Sequence, residues 1–228
     1  MIDSALRRAS GERAHGVPLA SLVGVSIPRL YAYHRALRAA QAAGKTSITS
    51  HGLAALLGHT IASTQIRKDL CALGPLGRRG HGYAIDPLAE QLAWVLGLEH
   101  DWRIAIVGFG YLGHALATFI TAREARFRVA AIFDQSPAVI GQTWQDITVQ
   151  SIDDIDRVLA ETGCNIGVIA VPADAAPSIA RRLADLGVRA LLNFAPVALD
   201  LRAPAIVRNI DLAGEMSILT HRLTLEAL

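Results

Sequence analysis

Residues 104–113 read Ile-Ala-Ile-Val-Gly-Phe-Gly-Tyr-Leu-Gly. Few backbones accept an apolar run that ends in Gly108-x-Gly110-x-x-Gly113: a buried strand, a turn too tight for side chains, and a helix that starts against the sheet. Gly108 allows the turn out of the strand, Gly110 lets the backbone approach a pyrophosphate, and Gly113 lets the helix lie close to the sheet with its N-terminus aimed at the phosphates. The next strand-like run, Val129 to Phe133, ends in Asp134, 21 residues after Gly113, where a carboxylate meets ribose hydroxyls. Gln135 and Ser136 follow, with no arginine for a 2′-phosphate, which favours NAD(H) over NADP(H). The bland alternative is that the glycines serve only a tight turn and Asp134 is a solvated strand end.

The chain continues in alternation: strand 103–107, helix 112–123, strand 128–133, a strand near 147–150, helix 152–162, strand 166–171, helix 174–186, strand 189–193 and a strand near 205–210. Such alternation implies an α/β fold with a parallel sheet and helices on both faces, a Rossmann-type domain over 101–210. Ligands of such sheets sit beyond the carboxyl ends of strands. The candidate cofactor residues are therefore Gly108, Phe109, Gly110, Tyr111, Leu112, Gly113 and Asp134, joined by Val171 and Pro172 at one later strand end and Ala195 at another. Ordinary turn chemistry is the competing account of those two later ends.

The fingerprint begins only after about a hundred residues of different character. Residues 1–90 carry 11 Lys and Arg against 5 Asp and Glu, whereas residues 91–228 carry 11 against 15, so the net charge of +2 conceals a basic front and an acidic back. A polyanion suits the first and not the second. Residues 1–25 have weak periodicity and are expected to form a mobile arm. Leu30, Tyr33 and Leu37 form a stripe on a helix from Ile27 to Ala43, closed by Gly44. Thr49 or Ser50 can cap a short helix through Leu57, and Thr60 or Ser63 can start a third that runs to about Leu73.

Three helices with a short turn between the last two make a helix-turn-helix, and the extended pieces around Arg78 and Arg79 read as a wing, together spanning 26–85. On the third helix Gln65, Arg67 and Lys68 are placed to meet bases, Ser63 and Thr64 to meet phosphate, and Arg78 and Arg79 to reach the backbone or a narrow minor groove. Asp69 is expected to orient a neighbouring cation. The competing account is a solvated polar helix face. A linking helix fills 86–100, and a last helix over 211–228 carries Leu212, Met216, Leu219 and Leu223 on one face that wants a partner.

An oxidoreductase needs a proton donor or acceptor beside the nicotinamide, most often His, Tyr or Lys. The only lysines are Lys45 and Lys68, the last tyrosine is Tyr111, and beyond Gly113 the histidines are His114 and His221. The nucleotide therefore reads as a signal rather than a reagent, and no enzyme is expected. Cys71 and Cys164 have neither disulfide-framework nor metal-ligand spacing, so a reducing cytoplasm and no metal are expected. Cys71 is expected to be a buried structural residue, with thiol sensing as the alternative. No stretch reaches the ~18 apolar residues of a membrane span.

Four motifs then resemble the Rex redox-sensing transcriptional repressors of bacteria: Gln65-Ile66-Arg67-Lys68-Asp69-Leu70; Gly77-x-Arg79-Gly80-x-Gly82-Tyr83; Gly108 to Gly113; and Leu192-Asn193-Phe194-Ala195-Pro196 followed by Asn209-x-Asp211-Leu212. The resemblance implies a homodimer whose terminal helix is swapped into the partner, an inverted-repeat operator, and release from DNA by NADH while NAD⁺ permits binding. It also implies a switch contact whose places fall on Arg35, Phe119 and Asp211. Some family members have a tyrosine where this chain has Phe119, so the three-part polar contact cannot form as such. Two other readings stand beside it: an NAD-dependent oxidoreductase with a fused basic module, and a CoA-binding domain like that of acyl-CoA ligase α subunits, against which Asp134 speaks.

Overall fold

The stripe at Leu30, Tyr33 and Leu37 folds as helix α1 (Ile27–Ala42), and all three side chains are fully buried. Gly44, at φ +76°, reverses the chain just past its end. The computed structural model describes residues 25–78, 81–123, 126–201 and 205–226. The expected arm thus falls almost wholly outside the described residues. The chain divides into two units between His100 and Asp101.

In the first unit, β1 (Ser47–Ile48) precedes α2 (Ser50–Leu56), which Thr49 caps by accepting the Gly52 N–H at 3.0 Å. Helix α3 (Ser63–Cys71) follows, then the antiparallel strands β2 (Gly77–Arg78) and β3 (Gly82–Ala84). β1 pairs with β3, giving a three-stranded sheet in the order β1-β3-β2 and the winged helix-turn-helix expected from sequence. Helix α4 (Ile85–Val95) is not a free connector: Ile85, Leu88 and Leu92 are fully buried with Leu30, Leu53, Ile66 and Leu70 in one core. Losing one such side chain, as in Leu70→Ala, would cost about 2–5 kcal/mol.

Helix α3 starts at Ser63, one of the two starts expected, with Ala62 as N-cap and no side chain bonded there, while the Thr60 hydroxyl turns back to the Leu57 carbonyl at 2.8 Å. One expectation for α3 needs correction. Cys71 is exposed rather than buried. The buried stripe of α3 is Ile66, Asp69 and Leu70, and the next residue is one helical step further round, toward solvent.

The second unit is built on a six-stranded sheet in the order β11-β10-β9-β4-β5-β8, parallel throughout. Its strands are β4 (Trp102–Val107), β5 (Phe127–Asp134), β8 (Gln150–Ser151), β9 (Ile166–Ile169), β10 (Ala190–Asn193) and β11 (Ile206–Asn209). In central strand β4 the last four residues are all buried: Ala105 and Val107 join one core, Ile104 and Ile106 the other. A parallel strand covered on both faces reads as a continuous apolar run, and the alternation decides which layer each side chain enters. Helices α6 (Ile155–Thr162) and α7 (Ala176–Asp185) contribute Ile155, Leu159 and Leu183 to one layer. Helix α5 (Tyr111–Arg123) contributes Ala117 to the other.

The single strand expected near 147–150 is corrected. An antiparallel hairpin, β6 (Thr143–Trp144) with β7 (Ile147–Thr148), turns at Gln145 with φ 51°, and only β8 joins the main sheet, beside β5. Trp144 buries its ring there against Phe109. The expected helix at 152 begins as a 3-10 turn (Ile152–Asp154) before α6. Helix α8 (Leu212–Glu226) ends the unit with Leu212, Met216, Leu219 and Leu223 all more than half exposed.

Candidate functional site

The second unit holds its site where strand order reverses. From β4 the chain moves to β5 and β8 on one side, then returns to β9 on the other, so the carboxyl ends of β4 and β9 part and leave a crevice. A cleft of about 210 Å³ lies there, with Val107, Gly108 and Gly110 on one wall, Ala170, Val171 and Pro172 on another, and Asp134, Gln135, Ile152, Ala175 and Ile179 completing it. Five of the predicted cofactor residues, Gly108, Gly110, Asp134, Val171 and Pro172, therefore line one space.

The three glycines have separate reasons. Gly108 has φ +92°, and a Cβ there would run into the Ala170 carbonyl; a Cβ on Gly113 would strike the Gly108 carbonyl oxygen. Packing of the chain itself demands both. Gly110 is different, because a Cβ there would meet nothing within 4 Å. The open space at Gly110 is what a backbone needs to approach a bulky anion, so the cradle fits a pyrophosphate at the start of α5.

Asp134 ends β5 and its carboxylate accepts the Phe109 N–H at 2.6 Å and the Ser136 N–H at 2.8 Å. It therefore ties the glycine loop to the neighbouring strand end, in position for ribose hydroxyls. Phe109 and Gly113 are buried behind the loop, while Tyr111 and Leu112 are exposed in the first turn of α5. Ala195 stands apart from the cleft lining, buried, with its N–H donated to the Asn193 side chain at 3.0 Å. Asn193 also donates to the Val197 carbonyl at 2.7 Å and to Asn209 at 2.8 Å, and Asn209 in turn holds both backbone groups of Leu199. This asparagine pair staples the loop after β10, which is why both ends of the Asn193–Asn209 motif carry amides.

In the first unit Arg67, Lys68 and Thr64 are exposed on α3 and Arg78 on the wing strand β2. Ser63 and Gln65 are half-buried at the edge of that face. A cleft of about 550 Å³ runs between α3 and the wing, bordered by Thr49, Arg67, Cys71, Arg78 and Tyr83. Arg79 lies outside the described residues.

Behind the basic face sits a charged network that sequence reasoning only half saw. Asp69 is 2% exposed, and the cation it meets is not Arg67 or Lys68 but Arg29 of α1. Arg29 clamps it with Nε at 2.7 Å and Nη2 at 2.9 Å, the buried Tyr33 hydroxyl donates at 2.8 Å, and Gln65 Nε2 donates at 2.8 Å. Burial alone would push the Asp69 carboxyl up; the bonds from Arg29, Tyr33 and Gln65 outweigh it and hold the group below the ordinary aspartate value. Burial, then the bond to Asp69, pushes the Tyr33 phenol up, so it stays a protonated donor. The signal that could have found Arg29 and Tyr33 was a carboxylate at a stripe position of α3, since a buried charge requires partners.

The residues expected at the switch contact fall in both units. Arg35 is exposed on α1. Phe119, on α5, is 58% exposed. Asp211 caps α8, accepting the Gly214 N–H at 2.9 Å.

The family model described as "Putative DNA-binding protein N-terminus" matches residues 23–71, and "CoA binding domain" matches residues 99–197. Fold and site together thus define a winged helix-turn-helix unit joined to a Rossmann-type parallel-sheet unit. "Redox-sensing transcriptional repressor Rex" of Streptomyces griseus is 41% identical, covering 91% of this chain and 79% of the relative. The protein of that name from Roseiflexus sp. is 39% identical over 87% and 90%. A crystal structure of RSP, a Rex-family repressor, in complex with β-NAD⁺ and operator DNA is 31% identical with a TM-score of 0.82, covering 88% of this chain and 92% of that one. The chain belongs to the Rex family of redox-sensing transcriptional repressors.

Proposed function

We propose that the protein is a transcriptional repressor that binds operator DNA through α3 and the wing and takes NAD(H) in the cleft beside Gly110, with DNA released when NADH occupies it. The observation that carries this reading is the likeness to RSP, whose structures include one with β-NAD⁺ and operator DNA and one with β-NADH, the latter at a TM-score of 0.76. Gly108, Gly110 and the first turn of α5 would hold the pyrophosphate, Asp134 the ribose, and Val171 and Pro172 the far end of the crevice. When bound, the dinucleotide supplies a nicotinamide ring whose charge and planarity differ between its oxidised and reduced forms. A ligand shifts a conformational equilibrium only by its differential affinity for the two states, so no chemistry on the cofactor is needed.

On the DNA side Arg67 and Lys68 would face the groove, Ser63, Thr64 and Arg78 would meet phosphates, and the Arg79 charge would add to that contact. A regulator rather than an enzyme is supported by the likeness to Rex repressors along most of the chain. The exposed apolar face of α8 supports a homodimer in which that helix packs on a second copy, giving two recognition helices for an inverted repeat. With Phe119 lacking a hydroxyl, Arg35 and Asp211 would carry the polar part of the switch. A cytoplasmic repressor accords with these features.

Operator binding titrated against the NADH/NAD⁺ ratio tests the reading. Affinity is expected to fall as NADH rises; unchanged DNA affinity at saturating NADH would sink it. The match to a CoA-binding model gives a second reading, a coenzyme A ligand in the same cleft. In the same assay coenzyme A is expected to leave both DNA binding and NADH binding unaltered.

A further inference from the structure

The Asp69 network does more than anchor α3. Gln65 sits at the edge of the basic face, in the N-terminal half of the helix, where a recognition helix meets base edges. Its amide has two faces of opposite chemistry, and a glutamine free in solvent presents either. Here one is fixed. The Asp69 Oδ1 atom, 2.8 Å from the amide, is held at a carboxylate that only accepts hydrogen bonds, so nitrogen and not oxygen must face it. The carboxylate cannot turn away, because Arg29 grips both of its oxygens and Tyr33 donates to Oδ2.

One N–H of Gln65 is thereby spent on Asp69. With the N–H trans to the carbonyl as the one donated, the oxygen and the other N–H lie side by side on the remaining edge of the amide. That acceptor–donor pair complements adenine, which offers the N6 amino group and N7 in the major groove; guanine offers two acceptors and complements it poorly.

We propose that Asp69, locked by Arg29 and Tyr33, orients the Gln65 amide so that Gln65 reads an adenine in each operator half-site. Asp69, Arg29 and Tyr33 are then positioning residues for specificity, and Gln65 is the reader. This rests on the DNA-binding reading above.

The test selects duplexes from a randomised pool with the full-length protein, without NADH, using wild type, Gln65→Leu, Asp69→Asn and the double variant. Wild type is expected to choose adenine at one position per half-site. Gln65→Leu should relax that position alone, by on the order of ten- to a hundred-fold. With Asp69→Asn only one of the two atoms can accept, although Arg29 donates to both, so Gln65 loses its fixed orientation and preference at the same position should relax from adenine alone to adenine and guanine alike. The double variant should match Gln65→Leu, since the two act through one contact.

A purely structural role for Asp69 predicts instead a uniform loss across all positions with adenine retained, and that result overturns the proposal. So does a wild-type preference with no adenine that responds to Gln65→Leu. A wild type that selects no sequence at all overturns the DNA-binding reading as well, which separates the two failures. Should Asp69→Asn lose its cooperative melt, Tyr33→Phe takes its place: it removes one donor from Oδ2, and a several-fold relaxation at the adenine position is expected, with an unchanged position counting against the proposal.

Discussion

The two units hold their binding surfaces by different means. In the first, the helix that faces outward is fastened from behind by a buried ion pair between side chains: Asp69 with Arg29, aided by Tyr33 and Gln65. In the second, the glycine loop is fastened through its backbone, with Gly108 and Gly113 admitting no side chain and Asp134 taking the Phe109 N–H, while the neutral amides of Asn193 and Asn209 staple the loop after β10. The difference teaches what each surface needs. A helix that reads DNA must keep rigid side-chain directions, and a charge clamp fixes rotamers. A cradle for an anion must bring main chain close, and only the absence of side chains allows that.

The largest break in this comparison should come from Arg29→Met, which strands a buried carboxylate. Removing one partner of such a pair costs about 3–5 kcal/mol, with the lower end expected because the Arg29 side chain is 30% exposed. Denaturant unfolding, with hydrogen exchange to localise the loss, should place it in residues 27–95 and leave β4 and β5 protected.

Next, Gly113→Ala forces the loop off the Gly108 carbonyl; overpacking of this kind costs about 1–3 kcal/mol, and exchange should now rise around β4 and α5. NADH affinity, read by fluorescence titration, should fall at least tenfold. Loss of protection in the same unit for both variants would erase the contrast.

Acid sharpens it further. The folded pKa of Asp69 is depressed, so the stability it adds is complete above the ordinary aspartate value of about 3.9 and drains away as pH falls toward the folded value. Melting of wild type and Asp69→Asn should differ most near neutrality and converge in acid, with the difference confined to the first unit. A gap between the two that widens below pH 4 would contradict the assignment.

The smallest effect on stability should be Gly110→Ala. With open space at its Cβ, this change should alter unfolding by less than about 0.5 kcal/mol while weakening NADH binding measurably. Unaltered NADH binding would mean the open space is not a ligand seat.

Much of this was legible in the residues because the physics involved is local. Ile104 to Val107 announced a strand covered on both faces, Gly108-x-Gly110-x-x-Gly113 announced its turn, and the glycines flanking Arg78 and Arg79 announced a wing. Leu30, Tyr33 and Leu37 fell on one helical face, as they do in the fold. What escaped was either too short to show a period or depended on distant partners. Thr143–Trp144 and Ile147–Thr148 are two-residue strands, so alternation had nothing to act on. Asp69 looked like part of a polar face because its partner is 40 residues away on α1. Cys71 departs from expectation for a simpler reason: free cysteine is most often buried, but its angle on α3 turns this one to solvent. At the candidate cofactor site, sequence spacing singled out Asp134, which does line the cleft, but could not reveal the bond from Phe109.

That bond has a consequence for how tightly any nucleotide is held. Before a ribose arrives, the Asp134 carboxylate already serves two amides, from Phe109 and Ser136. Each oxygen spends one lone pair on an amide and keeps another, so an incoming hydroxyl meets an acceptor whose direction is already fixed and need not displace either partner. The carboxylate is thus aimed before any ligand comes, and little of its rotational freedom is left to lose on binding.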